Sequence, residues 1–135
     1  MQAKEKTTIQ GEIERNEWKT FLDEFSKRNQ LRPTRLEVVG ETIGAQEEEE
    51  LLPLSGVSFE PKGAAAGSVE IILGGETVAD PRHLTHTVFN VQRIVPITGI
   101  ESVEDGLGIE DAEGTKTLLL FEVLPEIPDN TSDTR

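Results

Sequence analysis

The 135-residue sequence contains no cysteine, and its 26 acidic side chains outnumber its 13 basic ones, which gives a formal net charge of −13 at pH 7. The lack of cysteine excludes thiolate nucleophiles, cysteine-based zinc sites, iron–sulfur ligation and redox switching. The acidic excess argues against nucleic acid or an anionic membrane as a partner, because affinity for either comes mainly from Lys and Arg.

The expected compartment follows from the apolar segments that the sequence lacks. Residues 1–8 are mostly charged or polar, and no apolar run of signal-peptide length follows them. No stretch of about 18 apolar residues occurs, so no transmembrane helix is predicted. We therefore expect a cytoplasmic protein.

The charge is divided unevenly along the chain. Residues 1–35 carry 8 basic and 6 acidic side chains, whereas residues 36–135 carry 5 basic and 20 acidic ones, a net charge of −15. A negative field over this second part favours a basic protein as partner. The alternative interpretation is that the charge only keeps the protein soluble and monomeric.

The first 14 residues are expected to form a flexible arm or a short edge strand, since Ile9, Gly11 and Ile13 alternate with polar residues. Residues 125–135 are polar and interrupted by proline, which predicts a disordered tail. Residues 15–124 then form a single domain.

An amphipathic helix is the clearest predicted element. Trp18, Phe21, Leu22 and Phe25 are spaced i, i+3, i+4 and i+7, which places them on one helix face. The helix is predicted over Asn16–Asn29, with its first residue as the N-cap. The aromatic stripe is expected to cover a sheet; the alternative is a face that binds a partner in a groove.

After Pro33 the apolar period changes from 3.6 to 2, which indicates strands. Strands are predicted at about residues 36–40, 52–60, 69–73, 84–97, 107–110 and 117–123. The apolar parity changes at Ser55–Gly56, which predicts a β-bulge at Gly56. Residues 41–50 include four consecutive glutamates and are expected to form an exposed loop. Asp111–Gly114 is predicted to be a tight turn.

The last predicted strand is apolar on both faces, so it is expected at the sheet centre. Its Leu118, Leu120 and Phe121 are assigned to the core together with the helix stripe. The predicted fold class is α+β, with one N-terminal amphipathic helix packed on an antiparallel sheet of five or six strands. We expect this sheet to curl into a roll or a partly closed barrel; a flat sheet is the alternative.

Candidate chemistry is sparse. His83 and His86 form an H-x-x-H spacing, but residues three apart on a strand point to opposite faces, so no shared metal site is predicted. The segment Glu104–Gly114 lacks the spacing of a calcium loop. No nucleotide-binding glycine motif and no nucleophile elbow occur. No catalytic residue and no cofactor are therefore predicted, and His86 is the one candidate for ligand binding.

The order of these features resembles a family of small bacterial proteins of uncharacterised function, in which a Trp-containing N-terminal helix precedes a β-rich domain. The resemblance covers about residues 15–123 and implies one compact domain without an assigned catalytic or binding residue. The residues that carry it are Glu17-Trp18-x-x-Phe21-Leu22-Asp23-x-Phe25-Ser26, Leu36-Glu37-Val38, Pro53-Leu54-x-Gly56-Val57-Ser58-Phe59-Glu60, His86-x-Val88 and Gly114-x-x-Thr117-Leu118-Leu119-x-Phe121.

Three functional hypotheses follow. The leading one is a non-enzymatic, acidic interaction or accessory protein of the bacterial cytosol, without nucleic-acid or membrane partners. The second is a domain that binds a small ligand or cation in a pocket between helix and sheet, with His86 and nearby carboxylates as polar groups. The third is an enzyme in which His86 works with an Asp or Glu, which requires a carboxylate within hydrogen-bond reach.

Overall fold

The computed structural model of the protein describes residues 11–40, 44–47, 51–75, 83–99 and 103–122. The first ten residues of the expected arm, the glutamates at 48–50 and the expected tail at 125–135 lie outside the described residues. The domain limits at residues 15 and 124 stay predictions.

Eight strands and one α-helix make up the described chain. The helix α1 is Trp18–Arg28, preceded by a 3₁₀ turn at Arg15–Glu17. The strands are β1 Pro33–Gly40, β2 Gly44–Glu47, β3 Leu52–Glu60, β4 Ser68–Gly74, β5 His83–Val88, β6 Val91–Thr98, β7 Glu104–Asp111 and β8 Lys116–Phe121. Among these residues, no helix is long and apolar enough to cross a membrane.

The helix buries the predicted stripe against the sheet. Trp18, Leu22 and Phe25 are at most 1% exposed, and Phe21 is partly buried. The ring of Phe25 stacks on that of Phe121 in β8, with centroids 5.8 Å apart. The predicted N-cap at Asn16 is wrong, because the 3₁₀ turn precedes the helix and no side chain caps its start.

The helix is also tied to its surroundings by polar contacts. The Nε1 of Trp18 donates to the carbonyl of Ile13 over 2.9 Å, and the amide of Ile13 donates to the carbonyl of Ile94 over 2.8 Å. On the other side, the amide of Val57 in β3 donates to the hydroxyl of Ser26 over 2.8 Å. The helix therefore bridges β6 and β3.

The sheet is antiparallel, and the predicted α+β class is confirmed. Seven strands form one hydrogen-bonded path in the order β5-β4-β3-β1-β8-β7-β6, and β2 pairs with β1 beside this path. The expected count of five or six strands is wrong for two reasons. The expected loop at residues 41–50 contains β2, and the expected long strand at residues 84–97 is broken at Phe89–Asn90.

The sheet is bent but not closed. Its path ends at β5 and β6, so the expected closure into a barrel is not found among the described strands. In a flat sheet these two strands would lie about 29 Å apart, yet only Phe89 and Asn90 join them, and so short a link spans at most about 11 Å. The sheet therefore bends until its two ends are near each other.

The β-bulge predicted at Gly56 is confirmed. Leu54 is opposite Leu73 and Gly56 is opposite Ile72, so Ser55 is the extra residue of β3. Its hydroxyl donates to the carbonyl of Gly74 over 2.6 Å. The bulge changes which residues of β3 face inward, and both Leu54 and Val57 are thereby buried.

The last strand lies inside the sheet, between β1 and β7. Its buried side chains are Thr117, Leu119 and Phe121, because successive residues of a strand point to opposite faces. The structure corrects the assignment of Leu118 and Leu120 to the core: they lie on the outer face and are partly exposed.

Candidate functional site

His86 lies on the inner face of the bent sheet. Strand β5 pairs with β4 so that His86 is opposite Ile71, and directly opposed residues share a face. Ile71 is fully buried, so the imidazole of His86 is directed toward the interior side. His83 is three residues earlier on the same strand and is exposed, which places its imidazole on the other face.

The turn between β7 and β8 is built around one carboxylate. The Oδ1 of Asp111 accepts hydrogen bonds from the amides of Glu113 and Thr115, over 2.9 and 3.0 Å. Gly114 has φ +88°, a conformation that favours glycine. The tight turn predicted from Asp111 to Gly114 is confirmed, and its backbone amides hold the side chain of Asp111 in place.

The link between β5 and β6 docks on this turn. Asn90 has φ +55°, which Asn tolerates better than most residues. Its carbonyl accepts a hydrogen bond from the amide of Ala112 over 2.9 Å. This contact brings the end of β5 beside the β7–β8 turn, although the two strands are far apart in the order of the sheet.

A cleft of about 330 Å³ opens where these elements meet. Its walls are the inner face of β5, the Phe89–Asn90 link, the β7–β8 turn and the inner faces of β1 and β8. We call it the His86 cleft, and it is lined by Val38, His86, Thr87, Val88, Phe89, Asn90, Asp111, Ala112, Glu113, Thr115 and Thr117.

The lining of the His86 cleft is rich in hydrogen-bond acceptors. Two carboxylates, the hydroxyls of Thr115 and Thr117, one amide and one imidazole contribute to it, and none of its described lining residues is Lys or Arg. Thr87 follows His86 on β5, so its side chain lies on the other face of the strand. Val38, Val88 and Ala112 add apolar surface. Such a lining suits a group that carries positive charge and donates hydrogen bonds.

The cleft does not lie where the second hypothesis placed its pocket. The interface between α1 and the sheet is filled by Trp18, Leu22 and Phe25. Of the cleft residues, His86 was predicted from the sequence, whereas Asn90 and Thr117 were not. A signal for Asn90 was present, because Asn in an otherwise apolar and β-branched run marks a position that accepts positive φ.

A second polar cluster joins the end of α1 to the start of β7. Glu104 accepts hydrogen bonds from Arg28 at both carboxylate oxygens, over 3.2 and 2.8 Å, and from the Nδ2 of Asn29 over 2.9 Å. Arg32 donates to the Oδ1 of Asn29 and to the carbonyl of Glu104, each over 2.9 Å. The guanidinium of Arg32 also lies 4.2 Å above the ring of Phe121.

These contacts shift two pKa values. The hydrogen bonds from Arg28 lower the pKa of the Glu104 carboxyl, against an opposing effect of burial. The same pair raises the pKa of Arg28. Because each group in this cluster is engaged by another, we interpret it as a structural clamp and not as a binding site. No group of three or more potential metal ligands occurs among the described residues.

The chain belongs to a family of unknown function (DUF5335), whose model matches residues 9–130. This confirms the resemblance found in the sequence. The chain is 32% identical over 116 residues to an uncharacterized protein of Aquifex aeolicus (strain VF5), a match that covers 86% of this chain and 93% of that protein. No solved structure matches the chain significantly.

Proposed function

We propose that this protein is a non-enzymatic accessory protein of the bacterial cytoplasm that binds a basic protein partner. In this proposal, the His86 cleft receives a Lys or Arg side chain of that partner. The observation that carries it is the lining of the cleft, which combines the carboxylates of Asp111 and Glu113 with threonine hydroxyls and has no basic residue among its described members.

The shape and chemistry of the cleft support a long cationic side chain. An ammonium or guanidinium group needs several acceptors to replace its water, and the carboxylates and hydroxyls of the cleft supply them. The methylene stem of Lys or Arg packs well on apolar surface, which Val38, Val88 and Ala112 provide. A volume of about 330 Å³ accommodates one such side chain.

The charge of the chain supports the same partner class. Residues 36–135 carry a net charge of −15, and all the described lining residues of the cleft lie among them. A field of this sign raises the association rate of a basic protein and weakens with added salt. It also disfavours nucleic acid and anionic membranes, whose binding depends on basic residues.

A second candidate uses the same cleft for a small organic cation. The cleft volume lies at the lower end of the range of about 300 to 1,000 Å³ found for small-ligand sites. An enzyme that uses His86 as a base remains a third hypothesis. One carboxylate of the cleft, that of Asp111, already accepts two backbone hydrogen bonds in its own turn.

The test is a titration of isotope-labelled protein with a short oligolysine peptide, followed by amide and imidazole NMR shifts. We expect shifts concentrated at His86, Thr115 and Thr117. Glu113→Gln should weaken binding several-fold, whereas Glu60→Gln, an exposed residue of β3 outside the cleft lining, removes the same charge and should weaken it less.

The outcomes separate the candidates. No shift at the cleft, or equal effects of Glu113→Gln and Glu60→Gln, would contradict the proposal. If acetylated lysine amide binds as tightly as the peptide, the small-cation candidate is favoured over a protein partner.

A further inference from the structure

The outer face of β6, β7 and β8 carries an apolar surface that the helix does not cover, because α1 packs on the inner face through Phe25 and Phe121. The register sets Val95 beside Gly108 and Gly108 beside Leu118. It likewise sets Ile97 beside Gly106 and Gly106 beside Leu120. The four aliphatic side chains are partly exposed.

This outer face has a ridge next to a groove. Leu118 and Leu120 project from β8, while the adjacent positions of β7 are glycines and have no side chain. A groove of about 220 Å³ runs over Gly108, between the side chains of β6 and Leu118. The groove extends over Gly108 and not over Gly106, which is buried, so a single projecting leucine such as Leu118 matches it in shape.

The next outward-facing pair along β7 and β8 adds complementary charge to the ridge and groove. Glu110 of β7 is directly opposite Lys116 of β8 in the register, and both share the outer face with Gly108 and Leu118. The carboxylate of Glu110 also contacts Arg93 of β6 over 3.4 Å and remains 27% exposed. Glu110 therefore lies on the same strand and face as the groove residue Gly108, and Lys116 lies on the same strand and face as the ridge residue Leu118.

We propose that a second copy of this chain docks on this face, related by a two-fold axis that runs parallel to the strands between β7 and β8. Such an axis sets β8 of each copy over β7 of the other, because it exchanges the two sides while keeping the position along the strand. Leu118 of one copy then enters the groove at Gly108 of the other. Lys116 of each copy meets Glu110 of the other, as an isologous interface requires.

The size of the face sets the strength of this dimer. The docking face spans four strands, β1, β8, β7 and β6, with three outward-facing residues on each. Its area is therefore about 19 by 20 Å, or about 400 Å² on each copy. Stable dimers bury about 800 Å² on each partner. Each copy also carries a net charge of −13, which opposes association. The dimer is therefore reversible and depends on protein concentration.

The test is sedimentation velocity of the full chain from about 10 μM to about 1 mM. We expect wild type to shift from monomer to dimer within this range. Lys116→Glu and Glu110→Lys, each alone, should weaken association at least tenfold, because each puts like charges together twice in the symmetric dimer. Glu60→Lys on β3 is the control for a charge change elsewhere and should not weaken it.

Mixing the two single variants separates an interface effect from damage to the fold. A Lys116→Glu chain and a Glu110→Lys chain complement each other at both contacts, so the mixture should recover the dimer. A local effect on folding is not repaired by mixing. Gly108→Val, which fills the groove on a strand position, should also abolish dimerisation while the melting temperature is kept.

Two results overturn the proposal: wild type that stays monomeric up to about 1 mM, or a mixture of the two charge variants that associates no better than either alone. A Gly108→Val variant that still dimerises like wild type would show that the copies meet on another face.

Discussion

Arg28 and Glu104 hold the end of the helix on the sheet through two parallel hydrogen bonds. The Nε of Arg28 donates to Oε1 of Glu104 over 3.2 Å, and its Nη2 donates to Oε2 over 2.8 Å. Asn29, which is 2% exposed, adds a bond to the same carboxylate and another to the carbonyl of Phe25. The first residue of β7 thereby ends the helix and anchors it.

Replacing Glu104 by Gln should lower the free energy of unfolding by about 1 to 2 kcal/mol at pH 7, because it breaks a partly exposed ion pair that has good hydrogen-bond geometry. The pKa of Glu104 is lowered in the folded protein, so its contribution is complete above the unfolded pKa of about 4.3 and is lost as the pH falls through the folded value. Urea unfolding at pH 7, 5 and 3 tests this.

The quantity to compare is the difference in the free energy of unfolding between wild type and Glu104→Gln, because the other carboxylates titrate in both proteins. It should be constant between pH 7 and pH 5 and should shrink toward zero in acid. A difference that is the same at pH 3 and pH 7 would show that the carboxylate charge contributes nothing.

Trp18→Ala should lower the free energy of unfolding by about 3 to 5 kcal/mol. The indole is 1% exposed, stands edge-on to the ring of Phe59 with centroids 5.2 Å apart, and donates to the carbonyl of Ile13. Thermal melting measures the effect. A variant that melts like wild type but loses a partner would assign the indole to an interface instead of the core.

Much of the fold was predictable because it depends on local pattern. The stripe of α1 and the alternation of Val69, Ile71 and Leu73 in β4 identify elements whose buried faces are continuous in sequence. Strand β2 was not predictable in this way, because Gly44–Glu47 is held by backbone pairing with β1 and has no apolar alternation.

The candidate site was less predictable than the fold, because it is formed by contacts between distant segments. His86 could be selected from its rarity, and the β7–β8 turn from its Asp and Gly. That the two lie beside each other depends on the sharp link at Asn90 and its bond to Ala112. A curled sheet was expected from the sequence, but which segments the curl brings together depends on all the strands at once.

Asn90 gives a direct test of this link. Its φ of +55° is left-handed, so Asn90→Val should lower the free energy of unfolding by about 1 to 2 kcal/mol. Asn90→Gly should be tolerated to within about 0.5 kcal/mol, because glycine accepts this conformation. Urea unfolding of both variants tests the expectation, and equal losses would assign the effect to the Asn side chain instead of the backbone.

Gly106 and Gly108 in β7 provide the sharpest matched pair, because the same change at neighbouring outward positions should have opposite results. A Cβ at residue 106 would collide with the carbonyl oxygen of Leu119 in β8, which is backbone and has little freedom to move. A Cβ at residue 108 would lie 3.5 Å from the carbonyl oxygen of Val95 and 3.6 Å from Cδ2 of Leu118, which are ordinary contacts. Gly106→Ala should therefore cost about 2 to 3 kcal/mol. Gly108→Ala should be neutral or stabilise by about 0.5 kcal/mol, since alanine loses less chain entropy than glycine when it folds into a strand. Urea unfolding of the two variants side by side measures the difference, and equal stabilities would mean that β7 and β8 do not approach closely at residue 106.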